Sequence, residues 1–245
     1  MKELKDYQLI IVGLLITIGA ILSTSILANA VVEYQKLQNQ TIRVTGSASQ
    51  NVMSDFASLT IRINARANDL KIGYAKMDND AKDIKEFLVS NGLEEDKIIV
   101  SPVHNYEYYK RVGAYMSNEI EGYNVSRNIK VSSSDVEKIT NISKKINELV
   151  NKNIKISSSE VQYFVSNIDT LKIKMVGEAT KNAKERAQSM VAGTDGKIGS
   201  MNSAKMGVFQ IVPVNSTDVS DYGINDTSSI EKKIVATVNV TFNVK

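Results

Sequence analysis

Apolar and polar residues alternate one by one in several segments beyond residue 40. In residues 57–66 every second residue is apolar, and residues 234–245 repeat this pattern. A repeat of two is typical of a strand with one buried and one solvated face, which favours antiparallel pairing. The pattern predicts strands at residues 41–46, 57–66, 97–111, 121–131, 154–165, 198–212 and 234–245.

Three other segments repeat their apolar residues every three or four positions, which is the period of a helix. Two of these stripes run from Leu70 to Leu88 and from Val136 to Leu149. The third, from Ile173 to Met190, contains small residues and predicts close packing. Helices with one apolar stripe beside strands with one apolar face predict an α+β fold, with the helices on one face of a mostly antiparallel sheet.

The N-terminal segment follows neither pattern, because it is apolar on every side. It has no charged residue between Asp6 and Glu33, and a helix of this length can cross a hydrocarbon core of about 30 Å. We predict a cytoplasmic tail at residues 1–8, a transmembrane anchor or uncleaved signal at 9–32, a linker at 33–40 and one domain at 41–245.

A secretory signal is the other interpretation of this segment. Ala28-Asn29-Ala30 has the small-x-small form of a cleavage site, which would place the cut after Ala30. Both interpretations export the residues that follow.

Composition removes several classes of chemistry. The chain has no cysteine, which excludes disulfides, thiol catalysis and cysteine-ligated metals. Its single histidine, His104, excludes two-histidine metal motifs, and we interpret it as a structural or surface residue. The formal charge of +3 is dispersed, so nucleic-acid binding is unsupported. We predict no catalytic, cofactor-binding or metal-binding residues, and we expect that the chain is not an enzyme.

Tyrosines are concentrated in residues 106–123, across a predicted hairpin that turns near Gly113. Alternation places two of them on one face, where cross-strand packing with the others is expected. The candidate residues are Tyr106, Tyr108, Tyr115 and Tyr123. Two uses remain open for them, a packing or subunit interface and a ligand platform. Residues 215–229 are polar and predict a long surface loop, of a kind that is usually functional or disordered.

Four segments, taken in order, resemble the SIMPL-domain family of bacterial envelope proteins of unknown function. They are Ile42-Arg43-Val44-Thr45-Gly46 with residues 55–61, the Gly122-Tyr123 strand as far as Val131, Ala183-Lys184-Glu185-Arg186-Ala187 with Ile198-Gly199, and residues 235–242. The chain departs from the family pattern at Asp195, where a glycine is usual, and it lacks the proline-rich approach to the last strand.

The resemblance implies a protein of the bacterial cell envelope. Together with the apolar N-terminal segment and its likeness to an export signal, it predicts a single-pass protein of the bacterial cell membrane with an extracytoplasmic C-terminal domain. It also implies a link to oxidative or other stress and, in some members, large ring-like homo-oligomers. No catalytic residues carry over from the family.

These observations together predict a non-enzymatic cell-envelope protein, anchored through residues 9–32, that acts by homo-oligomeric assembly or scaffolding. The alternative is an extracytoplasmic binding module for a cell-wall or small-molecule ligand, using Tyr106, Tyr108 and the loop at 215–229.

Overall fold

A computed structural model describes the backbone of residues 2–245 and the side chains of residues 12–35 and 40–245. Over these residues the α-helices are α1 (Lys2–Asn39), α2 (Leu70–Ser90), α3 (Val136–Lys145) and α4 (Ile168–Val191). The strands are β1 (Thr41–Met53), β2 (Phe56–Ala67), β3 (Ile98–Val100), β4 (His104–Val112), β5 (Tyr115–Ser133), β6 (Ile156–Phe164), β7 (Ile198–Met206), β8 (Gln210–Pro213), β9 (Ile224–Asn225) and β10 (Glu231–Val244). They form two five-stranded, mostly antiparallel sheets, which confirms the predicted α+β class.

Three predicted elements are divided in the structure. The strand expected over residues 97–111 becomes β3 and β4, separated around Pro102, which has no N–H for a ladder. The strand expected over 198–212 becomes β7 and β8 on either side of Gly207. The second helix ends at Lys145 and continues as the 3₁₀ helix Ile146–Lys152.

The N-terminal helix α1 contains a 24-residue segment, Val12–Gln35, that is long and apolar enough to cross a membrane, with a mean hydropathy of 2.0. None of this segment is buried. Helix α1 also continues through the predicted linker at 33–40 as far as Asn39. The predicted tail at residues 1–8 and the start of the predicted anchor lie outside the described side chains.

The chain forms two compact units, each built from segments that are distant in sequence. The first contains the residues as far as Ala48 together with residues 174–207 and 236–245; the second contains residues 49–173 and 208–235. Because the segments interleave along the chain, no single linker divides them.

In the first unit, the C-terminal part of β10 lies between β1 and β7. Helix α4 presents Ala179, Ala183 and Ala187 to this unit, all fully buried. A Cβ at Gly46 in β1 would overlap the carbonyl oxygen of Ala179 and the backbone nitrogen of Ala183. The close packing predicted from the small residues of this helix is therefore confirmed.

In the second unit, β5 lies between β2 on one side and β3 and β4 on the other, and β6 pairs with the free edge of β2. The apolar side chains of β2 and β5 pack against α2 and α3 on one face of the sheet. Asp69 caps α2 by accepting a bond from the Ile72 N–H, and Asp135 caps α3 in the same way through Lys138. The alternate side chains of these strands form the opposite face.

Candidate functional site: an open sheet face and a distal ribbon

Strands β4 and β5 continue as a two-stranded hairpin beyond the rest of their sheet. The pairing of β5 with β2 runs from Tyr123 to Ser133, whereas its pairing with β4 extends to the turn. We call residues 109–122 the distal ribbon. Large apolar side chains are exposed along it, namely Tyr109, Val112, Tyr115, Met116 and Ile120. A two-stranded ribbon with this much exposed apolar surface is a candidate interface.

Tyr108 lies at the base of this ribbon and is held by its own chain. Its ring lies over Gly122, where an added Cβ would come within 2.7 Å of the tyrosine hydroxyl. The Arg66 guanidinium carbon lies 5.2 Å from the centre of the same ring, in a cation–π arrangement. Tyr108 is therefore half-buried and serves packing within this unit.

The other three predicted tyrosines are separated from one another. Tyr106 is 64% exposed and shares the Tyr108 face, where its cross-strand partner is Asn124. Tyr115 is 81% exposed at the turn of the distal ribbon. Tyr123 pairs with Ala67 and Glu107 on the helix-bearing face. The structure thus places Tyr106 and Tyr108 together and does not bring Tyr115 or Tyr123 to them, so the expected cross-strand packing among the four is not found.

Next to Tyr123, the Tyr109 hydroxyl donates a hydrogen bond of 2.6 Å to the Glu107 carboxylate. This bond raises the pKa of Tyr109, because ionising the phenol would place two negative charges side by side.

Two arginines on the face opposite the helices are fixed by asparagines of the neighbouring strand. Arg62 Nε donates to Asn128 Oδ1 at 3.0 Å, and Arg66 Nε donates to Asn124 Oδ1 at 3.2 Å. Both are direct cross-strand pairs in the β2–β5 ladder. We call this surface the open face; its side chains include Thr60, Arg62, Asn64, Arg66, Ile99, His104, Tyr106, Tyr108, Asn124, Ser126, Asn128, Lys130, Ser158 and Glu160.

The open face is predominantly basic. Among the described residues, Arg62, Arg66 and Lys130 form no ion pair with a carboxylate. Glu160 is its acidic residue, and β2 separates it from Lys130. His104 is exposed in the row between the two arginines, with Ser126 as its cross-strand partner. The arginines therefore keep most of their hydrogen-bonding capacity for a ligand.

The predicted loop at 215–229 is tied to the second unit by buried polar contacts. Lys232, which is 2% exposed, donates to the Asp226 carbonyl oxygen at 2.5 Å and lies 3.4 Å from its carboxylate. Gln210 bonds the backbone of Ser220 through both its amide atoms. The short strand β9 also adds a parallel pairing with β8. The loop is thus largely ordered by its own contacts.

The Lys232–Asp226 pair has perturbed ionisation. Burial alone raises the pKa of Asp226, but hydrogen bonds from Ser228 and Ser229 and the charge of Lys232 outweigh it and lower the pKa to about 2. Burial lowers the pKa of Lys232, against the opposing effect of Asp226. The pair lines a cavity of about 110 Å³ whose apolar wall includes Phe164, Ile168 and Ile211.

The sequence pattern identified Arg62, Asn64 and Arg66 only as the solvated side of a strand. The two arginines are held in place by Asn128 and Asn124, which follow them by more than 50 positions in the chain. One signal was present: both pairs of residues repeat at a spacing of four, so each pair falls on one face of its strand. Periodicity does not give the register that brings the two pairs together.

Relatives of known sequence do not supply an activity. The uncharacterized protein YggE of Edwardsiella ictaluri (strain 93-146) is 23% identical over 197 residues, which covers 76% of this chain and 77% of that protein. Two solved structures from Listeria innocua, a hydrolase and an uncharacterized conserved protein, share 5% and 6% identity, each over 80% of this chain and 91% and 92% of their own. Their TM-scores of 0.21 and 0.22 support no argument about fold or activity.

The family comparison covers nearly all of the chain beyond helix α1. The SIMPL family, described as proteins of unknown function (DUF541), matches residues 42–242. This match includes both the open face and the distal ribbon, and it confirms the resemblance carried by the sequence motifs. The chain belongs to the SIMPL family.

Proposed function

We propose that this chain is a membrane-anchored, non-enzymatic protein of the bacterial cell envelope that acts by homo-oligomeric assembly or scaffolding. The membrane part is supported by the exposed apolar segment Val12–Gln35 in helix α1. The assembly part is supported by the distal ribbon. A ring-shaped oligomer, an extracytoplasmic C-terminal region and a stress-linked role belong to the same proposal and rest on the family resemblance.

The observation that supports self-association most directly is the exposed apolar surface of the distal ribbon. Val112, Tyr115 and Met116 are 62%, 81% and 64% exposed around a single turn. Exposed apolar surface of this kind marks interaction sites, and burying one tyrosine removes about 150–250 Å² from water. A partner that covers the turn would therefore bury enough apolar surface to stabilise the complex.

The charges of the distal ribbon favour a second copy of the same chain as that partner. Lys110 and Arg111 lie on β4, whereas Glu119 and Glu121 lie on β5. Lys110 and Glu119 already approach to 3.4 Å within one chain. A two-fold arrangement in which β4 of one ribbon lies against β5 of the other would place basic residues of each beside acidic residues of its partner, so the surface can be self-complementary.

The mass of the full chain in a non-ionic detergent, measured by light scattering, tests this proposal. We expect multiples of the 27.0 kDa chain mass. Tyr115→Ser should weaken association by about 30-fold, as expected for the loss of an aromatic hot spot of about 2 kcal/mol. Tyr222→Ser is the matched control, because Tyr222 is 98% exposed on the loop of the same unit. A wild-type chain that stays monomeric over a wide concentration range contradicts the proposal.

The topology can be tested separately, because the chain has no cysteine. A single Tyr222→Cys substitution gives one exposed thiol in the second unit. A membrane-impermeant maleimide should label it in intact cells if this unit is extracytoplasmic. Labelling only after lysis would place the unit in the cytoplasm and reject that part of the proposal.

A further inference from the structure

The two arginine–asparagine pairs form a repeated, preorganised arrangement on the open face. Each asparagine accepts from the Nε of its arginine, which leaves the two terminal nitrogens of each guanidinium without a hydrogen bond or ion pair within the described chain, although the Arg66 guanidinium also lies over the Tyr108 ring. A guanidinium held in this way binds an anion at a smaller entropic cost than a freely rotating side chain. Because planar guanidinium forks match carboxylate and phosphate groups, the face is built to receive anions.

The spacing of the arginines indicates an extended ligand. Arg62 and Arg66 are four residues apart on β2, which corresponds to about 13 Å at the usual rise of a strand. Lys130 continues the basic row, since its partner Thr60 precedes Arg62 by two residues. A single small anion could contact only one of these groups at a time. A linear molecule with several negative charges could contact them together.

Neutral polar groups on the same face distinguish a glycan from other polyanions. Asn124 and Asn128 use their side-chain oxygens on the arginines, so their amide N–H groups are available as donors to hydroxyl groups. Tyr106 is 64% exposed beside Asn124 and offers a ring against which a sugar can pack. Ser126 and Ser158 add hydroxyls on the same side of the sheet.

We infer that the open face binds an anionic glycan, a linear polysaccharide that carries carboxylate or phosphate groups. Arg62 and Arg66 bind its charges, Lys130 extends the contact, and Tyr106 packs against a sugar ring. Asn124 and Asn128 are positioning residues, because they hold the two guanidinium groups. This activity goes beyond self-association and uses residues outside the distal ribbon.

Calorimetric titration of the full chain in a non-ionic detergent tests this inference, with an oligogalacturonate as the carboxylate-bearing probe. Each of Arg62→Gln and Arg66→Gln should weaken binding by about tenfold or more, because each removes a charge-assisted contact. Arg43→Gln is the matched control, since Arg43 is also an exposed strand arginine and lies in the other unit. This control should bind the oligogalacturonate like the wild type.

Further variants separate positioning and geometry from charge. Asn128→Ala keeps the charge of Arg62 but releases its guanidinium, so binding should weaken by less than in Arg62→Gln. Arg62→Lys keeps the charge without the planar fork and should also be intermediate. Glu160→Gln removes the carboxylate of the open face and should tighten binding. Far-UV circular dichroism checks that each variant is folded.

Three results would overturn the inference. The first is that the wild type gives no heat of binding with the oligogalacturonate. The second is that the Arg62→Gln/Arg66→Gln double variant binds it with the affinity of the wild type. The third is that a neutral oligosaccharide or a single-stranded DNA oligonucleotide binds as tightly as the oligogalacturonate and with the same dependence on the arginines. The arginine variants should keep the oligomeric mass of the wild type, and Tyr115→Ser should keep oligogalacturonate binding. Failure of the proposed glycan binding is therefore distinguishable from failure of the proposed self-association.

Discussion

Gly46 should be the least replaceable glycine of the first unit. It lies in β1 at a point where the strand touches the backbone of α4. An alanine Cβ there would lie 2.5 Å from the Ala183 nitrogen and 2.6 Å from the Ala183 Cβ, and it would overlap the Ala179 carbonyl oxygen. Two of these three atoms belong to the helix backbone. No side-chain rotation can therefore relieve the overlap, and β1 and α4 would have to move apart.

The cost of Gly46→Ala can be derived from this geometry. Adding a methyl group to a packed core usually costs about 1–3 kcal/mol, and a clash with backbone atoms places this case near about 3 kcal/mol. For a folded region of this size, 1 kcal/mol shifts Tm by about 2–4 °C, so we expect Tm to fall by about 6–12 °C.

Gly177→Ala provides a control with the opposite expected sign. Gly177 lies within α4, and a Cβ there would have no neighbour within 4 Å. The change should stabilise the helix by about 1 kcal/mol through propensity alone. Thermal unfolding of the full chain, followed by far-UV circular dichroism, compares the two variants. If Gly46→Ala matches the wild type or raises Tm as Gly177→Ala does, the close contact between β1 and α4 is wrong.

Three further predictions concern the second unit. Lys232→Met should lower the free energy of unfolding, measured in urea, by about 3–5 kcal/mol, because it leaves the buried Asp226 carboxylate without its cation. The control is Lys205→Met, at an exposed lysine, whose free energy of unfolding should stay within about 0.5 kcal/mol of the wild type. The pKa of Asp226 is lowered from 3.8 to about 2, so its stabilisation is complete above about pH 4 and is lost as the pH falls through about 2. In Asp226→Asn, the loss of unfolding free energy that this carboxyl causes in acid should disappear. An unchanged loss of stability in acid would contradict its assignment to Asp226. Gly122→Ala should displace the Tyr108 ring and crowd the Ala67 carbonyl oxygen, at a cost of about 1–3 kcal/mol by overpacking, which thermal unfolding can measure. An unchanged Tm would contradict the close contacts at Gly122.

Local periodicity was sufficient for most of the secondary structure. The helix predicted from Leu70 to Leu88 is Leu70–Ser90 in the structure, and the alternation in residues 57–66 corresponds to β2. This agreement follows from burial, because Leu59, Ile61 and Ile63 are fully buried on the face that packs against α2. The sequence therefore indicates which face of each element is covered.

Pairing between distant strands could not be predicted in the same way. Tyr123 and Tyr108 both belong to the tyrosine-rich hairpin, but register shifts between Tyr108 and Arg111 change how the two strands align. A shift of one residue moves a side chain to the other face, and alternation within a single strand contains no signal for it. Tyr123 lies on the opposite face of the sheet from Tyr106 because the register pairs Tyr123 with Glu107. The Arg62–Asn128 contact also depends on register, across 66 residues of sequence.

The glycines within the family motifs have a structural explanation that is separate from function. Gly46 lies in the first motif and Gly122 in the central one, and at each an added Cβ would overlap neighbouring backbone. These positions determine how closely a strand approaches α4 or another strand, so a motif built on them identifies the fold without identifying a ligand. The exposed groups proposed to contact a partner lie at other positions, on β2 and at the turn between β4 and β5. Arg62 and Arg66 alternate with buried β2 residues, and Tyr115 lies past the last strand that supports β5. The motifs therefore account for the fold of this chain, whereas the binding proposed for it depends on the open face and the distal ribbon.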